Sequence, residues 1–278
     1  MTGRGALRRL LVAGAGAVVA RAALRAVTAS PAAPALARTN HRGRMVSLAA
    51  GPALAVAAAS GAALGAGDVR LGAAALTVGL SAGAVGLYDD VAGQRPDQRT
   101  AKGFRGHLGA LRQGRVTSGL VKIAGIGAAG LAAAALAERK PSVVDTLLSA
   151  GVIAGAANLA NLFDLRPGRA LKVGLATGAP LLLGPAGALA AGTVGASVAL
   201  LPDDLGERVM LGDGGANAMG ALLGLAATRA TGRAGRIVLL AGIAGLTLAS
   251  ERVSFTRVIE ATPALRAVDE WGRLPAET

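Results

Sequence analysis

Cysteine is absent from the 278 residues, which excludes disulfides and thiolate metal sites. Aromatic residues are nearly absent as well: one Trp, one Tyr and three Phe make up 2% of the chain. So few rings leave no stacking platforms for nucleic acid, and a soluble core of this size would use more large side chains. Charge is sparse too, at 16% of residues against roughly 25% in an ordinary soluble domain. Acids are the scarcer sign, 16 against 29 Lys and Arg, for a net charge of +13. That balance would suit nucleic acid, but the basic residues sit in short clusters between apolar runs, as in the cytoplasmic loops of a membrane protein. A nucleic-acid partner is therefore not expected.

What the chain has in abundance is Ala and Gly within a 53% apolar composition, and small residues let membrane helices approach closely. A spanning helix needs about 20 predominantly apolar residues. Candidate spans fall near 10–27, 46–66, 69–88, 117–137, 143–163, 171–184, 186–201, 212–229 and 236–250. The expected fold is all-α: a polytopic bundle of about nine spans over residues 1–250, followed by a short, partly helical tail at 251–278. The sixth and seventh runs are short and meet at Gly184-Pro185, which leaves a re-entrant pair or two tilted helices open.

Orientation follows from charge, because loops rich in Lys and Arg stay cytoplasmic. Segments 38–45, 89–116, 164–170, 202–211 and the tail share one face. With Lys172, they carry about twice the Lys and Arg of the opposite set. They are expected in the cytoplasm, with the N-terminus outside and the protein multi-pass in the cytoplasmic membrane. Arg8-Arg9, the run Leu10–Ala20 and the small residues around Ser30 also resemble a secretory signal. Its cleavage would put the arginine-rich loops outside, which the charge bias opposes.

All of the 16 carboxylates except Asp68, Glu138 and Asp145 fall on the cytoplasmic set. Asp89-Asp90 closes the third span, where two carboxylates near low-dielectric lipid repel and call for a cation or a proton. Asn158, Asn161 and Asp164 form one slanting stripe at the end of the fifth span, and amides inside an apolar helix are costly unless paired. Gly212-Asp213-Gly214-Gly215 opens the eighth span, where glycines admit close backbone approach and a helix N-terminus favours phosphate. Lys122 lies in the first turns of the fourth span. Arg42 and Arg44 precede the second span, and Lys102 and Arg105 follow the Asp pair. Singly, these groups have structural explanations: a solvated helix end, interhelical amide pairing, an acidic N-cap, charged anchors. Together, carboxylates from three loops and an intramembrane Lys open to one face, as Mg²⁺-dependent phosphate chemistry at a membrane surface requires.

On these residues the chain, over roughly 38–250, resembles the polyprenyl-phosphate N-acetylhexosamine-1-phosphate transferases. That family includes phospho-N-acetylmuramoyl-pentapeptide transferase and the bacterial N-acetylglucosamine-1-phosphate transferases. The resemblance implies transfer of a sugar-1-phosphate from a UDP-sugar, a UDP-N-acetylhexosamine or a relative, to a polyprenyl phosphate, releasing UMP, for cell-envelope glycan synthesis. It implies Asp213 as the Mg²⁺ ligand, with Mn²⁺ as an alternative ion. Asp89, Asp90, Lys122 and Asp164 would be catalytic, with the two adjacent aspartates positioning or deprotonating the lipid phosphate and Lys122 neutralising charge. Asn158, Asn161 and Asp164 would line the nucleotide pocket, and Arg42, Lys102, Gly212 and Gly215 would contact substrate. A homodimer is one admitted assembly. Two departures stand out. Asp164 is followed by Leu165-Arg166-Pro167-Gly168-Arg169 instead of Gly-Leu-Asp-Gly, and Ser250–Arg257 replaces a histidine-rich loop. A catalytically reduced member that binds polyprenyl phosphate or an envelope-assembly partner is the second reading. A small transporter is the third, although the expected internal repeats are not convincing.

In the tail, Thr262-Pro263 fits an N-cap and first-turn pair. Val258, Leu265, Val268 and Trp271 give one apolar face. Arg166, Arg169 and Lys172 suit either a phosphate or an ordinary cytoplasmic loop.

Overall fold

The computed structural model describes residues 3–95, 103–138 and 142–275. It is 78% helical, as the apolar runs imply. Among the described residues the helices are α1 (Gly3–Thr28), α2 (Ala50–Gly65), α3 (Val69–Ala92), α4 (Gly103–Arg112), α5 (Ser118–Ala137), α6 (Val143–Phe163), α7 (Arg169–Leu183), α8 (Gly187–Leu205), α9 (Gly212–Ala230), α10 (Arg233–Ser250), α11 (Phe255–Ala261) and α12 (Pro263–Glu270). Six of them, α1, α3, α5, α6, α8 and α10, are long and apolar enough to cross a membrane. Helix α2 is as apolar but has 16 residues, about 24 Å at 1.5 Å per residue. The chain is thus a helical protein of multi-pass membrane character.

Connections at one end are tied by arginines. Arg8 donates to the Ala66 carbonyl at 2.8 Å and Arg9 to that of Gly184 at 3.1 Å. Arg236 pairs with Glu138 at 2.7 Å. The turns after α2, α5 and α7 therefore share this end with the start of α1. In the stretch 171–201 the chain forms two packed helices, α7 and α8. α1 lies along α2 and α8, and an Arg21–Asp203 ion pair locks it to the far end of α8.

Helix α9 is the centre of the bundle. It is buried almost throughout and packs against α2, α3 and α6. Its own Leu222 and the surrounding Leu54, Ile153 and Leu200 are each almost fully buried. Ala and Gly on the facing surfaces allow this approach, where van der Waals contact replaces the hydrophobic drive available in water.

At the opposite end, several expected loops carry structure. Segment 38–45 is a hairpin in which Ala37–Thr39 (β1) pairs antiparallel with Met45–Ser47 (β2). The following helix consequently starts at Ala50 rather than at 46. Ser47 also bridges to Val209, so the segment before α9 runs beside this hairpin. α3 continues past Asp89-Asp90 to Ala92, and α8 continues through Asp203-Asp204 to Leu205. The long loop after α3 contains α4, an amphipathic helix that apolar-run reading passes over.

Candidate functional site

The ends of α3, α5 and α9 meet around one ammonium group. Lys122 Nζ lies 2.6 Å from Asp89 Oδ2 and forms an equally intimate ion pair with Asp213. All three side chains are at most about a quarter exposed, so water screens the cluster poorly and pairing is needed to hold the charges there. Ser118, at the start of α5, also hydrogen-bonds Asp89.

Asp90 plays a different part. Its two carboxylate oxygens accept from the backbone amides of Asp213 at 3.1 Å and Gly214 at 3.0 Å. These are first-turn donors of α9 that have no partner within their own helix. A carboxylate there also complements the positive end of the helix dipole. Two backbone features permit the approach. Gly212 has φ +64°, and a Cβ on it would press against Asp90 and Leu48. Gly86, one turn before Asp90, leaves room for the Asp213 carbonyl, which any Cβ would overlap.

Asp164 caps the end of α6 and accepts from the Gly212 amide. Loss of surrounding water, and then the nearby carboxylates of Asp204, Asp213 and Asp90, push its acid well above the ordinary carboxylate range. Asp204, which the motif reading passed over, is buried and accepts from the Gly168 amide at 2.7 Å. It thereby ties the turn after Asp164 to the end of α8. The sequence offers Asp203-Asp204 as a second Asp pair at a span end, like Asp89-Asp90, without telling which of the two enters the site.

Two cavities flank the carboxylates. One, of about 400 Å³, lies between α5, α6, α9 and α10 and is lined by Lys122, Ile123, Ile126, Asn158, Asn217 and Thr247 among others. The other, of about 200 Å³, is lined by Asn40, His41, Asp164, Arg166, Asp204 and Glu207. Asn158 and Asp164, less than two helical turns apart on one stripe in the sequence, thus serve different cavities. Asn161, between them, is half-buried. Asn217 is almost fully buried, and its amide nitrogen has no partner among the described residues.

Gly215 sits where α9 touches the start of α2 at Gly51 and so shapes the packing under the cluster. Arg42 stands apart from the Lys122 cluster. It pairs with the buried Glu207 at 3.1 Å and donates to the Leu274 and Pro275 carbonyls. Glu207 also accepts from Asn40 at 2.6 Å and has φ +52°, a conformation that non-glycine residues adopt only when surroundings hold them. Lys102 lies outside the described residues, and of the Arg105 side chain nothing is described. Arg169 and Lys172 face the tail: Arg169 forms a two-point pair with Asp269 at 2.8 Å for each bond.

Mg²⁺ commonly takes one or two carboxylates and fills its remaining positions with water and substrate phosphates. The donor chemistry of Asp89 and Asp213 suits that mode. Among the described residues no group of three His, Asp or Glu side chains is placed to hold a metal ion on its own. No protein-family model matches the chain, and no curated protein matches it either.

Proposed function

We propose that this protein transfers a sugar-1-phosphate from a UDP-sugar to a polyprenyl phosphate at the cytoplasmic membrane face. On this reading nine helices span the membrane, with α2, α7 and α9 joining the six longer or more apolar ones. The observation that carries the reading is the Lys122 ammonium held between Asp89 and Asp213, with Asp90 anchoring the first turn of α9. An ammonium at the mouth of a helix N-terminus can take up a phosphate oxygen once a divalent cation occupies the carboxylates that now hold it.

The reaction needs no protein nucleophile. A lipid-phosphate oxygen attacks the β-phosphorus of the UDP-sugar, a new phosphoanhydride bond forms, and the bond to the bridging oxygen of UMP breaks. Catalysis of this kind is mostly positioning and charge neutralisation. Asp213 and Asp89 would hold Mg²⁺, or Mn²⁺ in its place, which supplies positive charge to the phosphate oxygens when bound. Lys122 would then turn from the carboxylates toward a phosphate oxygen. Asp90 keeps the α9 terminus fixed during this exchange, and Asp164 presents an acid to the cavity it shares with Arg166. The larger cavity beside Lys122 suits a lipid phosphate. The one beside Asp164 and Arg166 suits the nucleotide part.

The test is UMP release by the purified, reconstituted protein given polyprenyl phosphate, Mg²⁺ and a panel of UDP-sugars. Removing one group that stabilises transition-state charge typically costs about 10²–10³ in rate. Asp213→Asn and Lys122→Met should each lose at least that much. Turnover that survives both substitutions would refute the assignment, and lipid binding without turnover across the panel would point to the catalytically reduced reading.

A further inference from the structure

Helix α12 presents the reverse of what an aqueous surface selects. Asp269 is buried against protein, bound by Arg169 and, at 2.6 Å, by Arg273. Lys172 donates to the Val268, Asp269 and Trp271 carbonyls that end α12, at 3.0, 2.7 and 2.6 Å. The apolar side chains point away: Leu265 is 48% exposed, Val268 64% and Trp271 70%. A helix docked in water would bury that face and expose the carboxylate.

Its level in the fold supplies the reason. Arg169 and Lys172 belong to the first turn of α7, and Phe255 stacks on Phe163, the last residue of α6, at 5.1 Å. The tail therefore lies where the apolar helices end. Helix α10, which precedes the tail, is likewise almost wholly exposed along its apolar length and shows Leu246 and Leu248 outward. Val253 and Val258, in the chain between α10 and α12, are exposed as well. Trp favours this depth because its ring is apolar while its N–H stays hydrated.

We propose that α12 lies in the membrane surface, with Leu265, Val268 and Trp271 inserted at the headgroup–acyl boundary and the Asp269 pairs latching it to the bundle. The partner is the lipid bilayer itself. Arg42 holds the Leu274 and Pro275 carbonyls, so the same latch reaches the hairpin that borders the Asp164 cavity. This inference is independent of the catalytic reading.

Trp271 is the only tryptophan in the chain, so its fluorescence reports this site alone. The full chain would be reconstituted in vesicles whose lipids are brominated either near the headgroup or near the bilayer centre. The expected result is a blue-shifted emission, strong loss of intensity with the shallow bromines, a smaller loss with the deep ones, and poor quenching by aqueous acrylamide. Leu265→Ser/Val268→Ser should reduce the shallow quenching while helicity is unchanged. Free access to acrylamide would overturn the proposal. So would protection from both quenchers, the result expected if a second copy or another protein covered the face.

Discussion

The Asp90 carboxylate accepts the Asp213 backbone amide at 3.1 Å, which ties the end of α3 to the start of α9 across more than a hundred residues of chain. Asp90 thereby helps hold the turn from which Asp213 meets Lys122. The neighbours Asp89 and Asp90 divide the work: one faces the ammonium, the other faces backbone.

Gly212→Ala tests that turn. The residue has φ +64° and no room for a Cβ beside Asp90, so the substitution strains the backbone by about 1–3 kcal/mol. A lower unfolding temperature is expected, together with a larger loss of activity than of fold at moderate temperature. Unchanged stability would mean that the turn is not held as described.

Lys122→Met leaves Asp89 and Asp213 facing each other with no cation between them. Breaking a buried pair by removing one partner costs about 3–5 kcal/mol, and partial exposure of this cluster reduces that figure. Thermal unfolding of the variant should shift upward on adding Mg²⁺, and by more than the wild type shifts. A variant indifferent to Mg²⁺ would count against metal at these carboxylates.

Asn217→Leu separates stability from binding. The buried amide nitrogen is unpartnered among the described residues, and an unsatisfied buried donor costs about 1–3 kcal/mol. An apolar side chain of similar size should leave the unfolding temperature equal or higher while weakening the ligand or turnover. A marked loss of stability instead would show that the amide is structural.

The tail latch depends on pH in a definite direction. Burial raises the Asp269 acid, but Arg169 and Arg273 outweigh it and hold the group below its ordinary value of 3.8. A depressed carboxylate contributes stability that is complete above the ordinary value and is lost as pH falls through the lower folded value. Trp271 emission should stay constant from neutral pH down to the ordinary carboxylate range and change only below it. Asp269→Asn should show the released emission at neutral pH, since it leaves Arg169 buried without its charge partner.

Orientation is open to direct measurement because the chain has no cysteine. Gln113→Cys and Gly67→Cys, both at exposed positions, should be labelled by an impermeant reagent from opposite sides, with Gln113 on the inner one. Labelling of both from one side would refute the nine-span alternation.

Apolar runs and breaks were enough to read most of the bundle, because a helix in lipid must satisfy its own backbone and its length is set by the bilayer. The motif positions Asp89, Asp90, Lys122 and Asp213 were legible for a related reason: a charge at the end of an apolar helix is expensive and so stands out. Asp204 was not, because nothing local distinguishes it from its neighbour Asp203, which pairs with Arg21 and Arg208. Arg42, Arg169 and Lys172 looked like phosphate ligands or anchors, since a sequence shows that a cation needs a partner without showing which one.

Composition and spacing by themselves determined that this chain is a helical membrane protein with its acids gathered at span ends. Tertiary structure alone decided which acids meet. That outcome rests on the close approach of α3 and α9 at glycines, on a left-handed turn at Gly212, and on a tail carboxylate finding Arg169 across about a hundred residues. Those contacts join segments far apart in the chain, and local sequence carries no information about such distances.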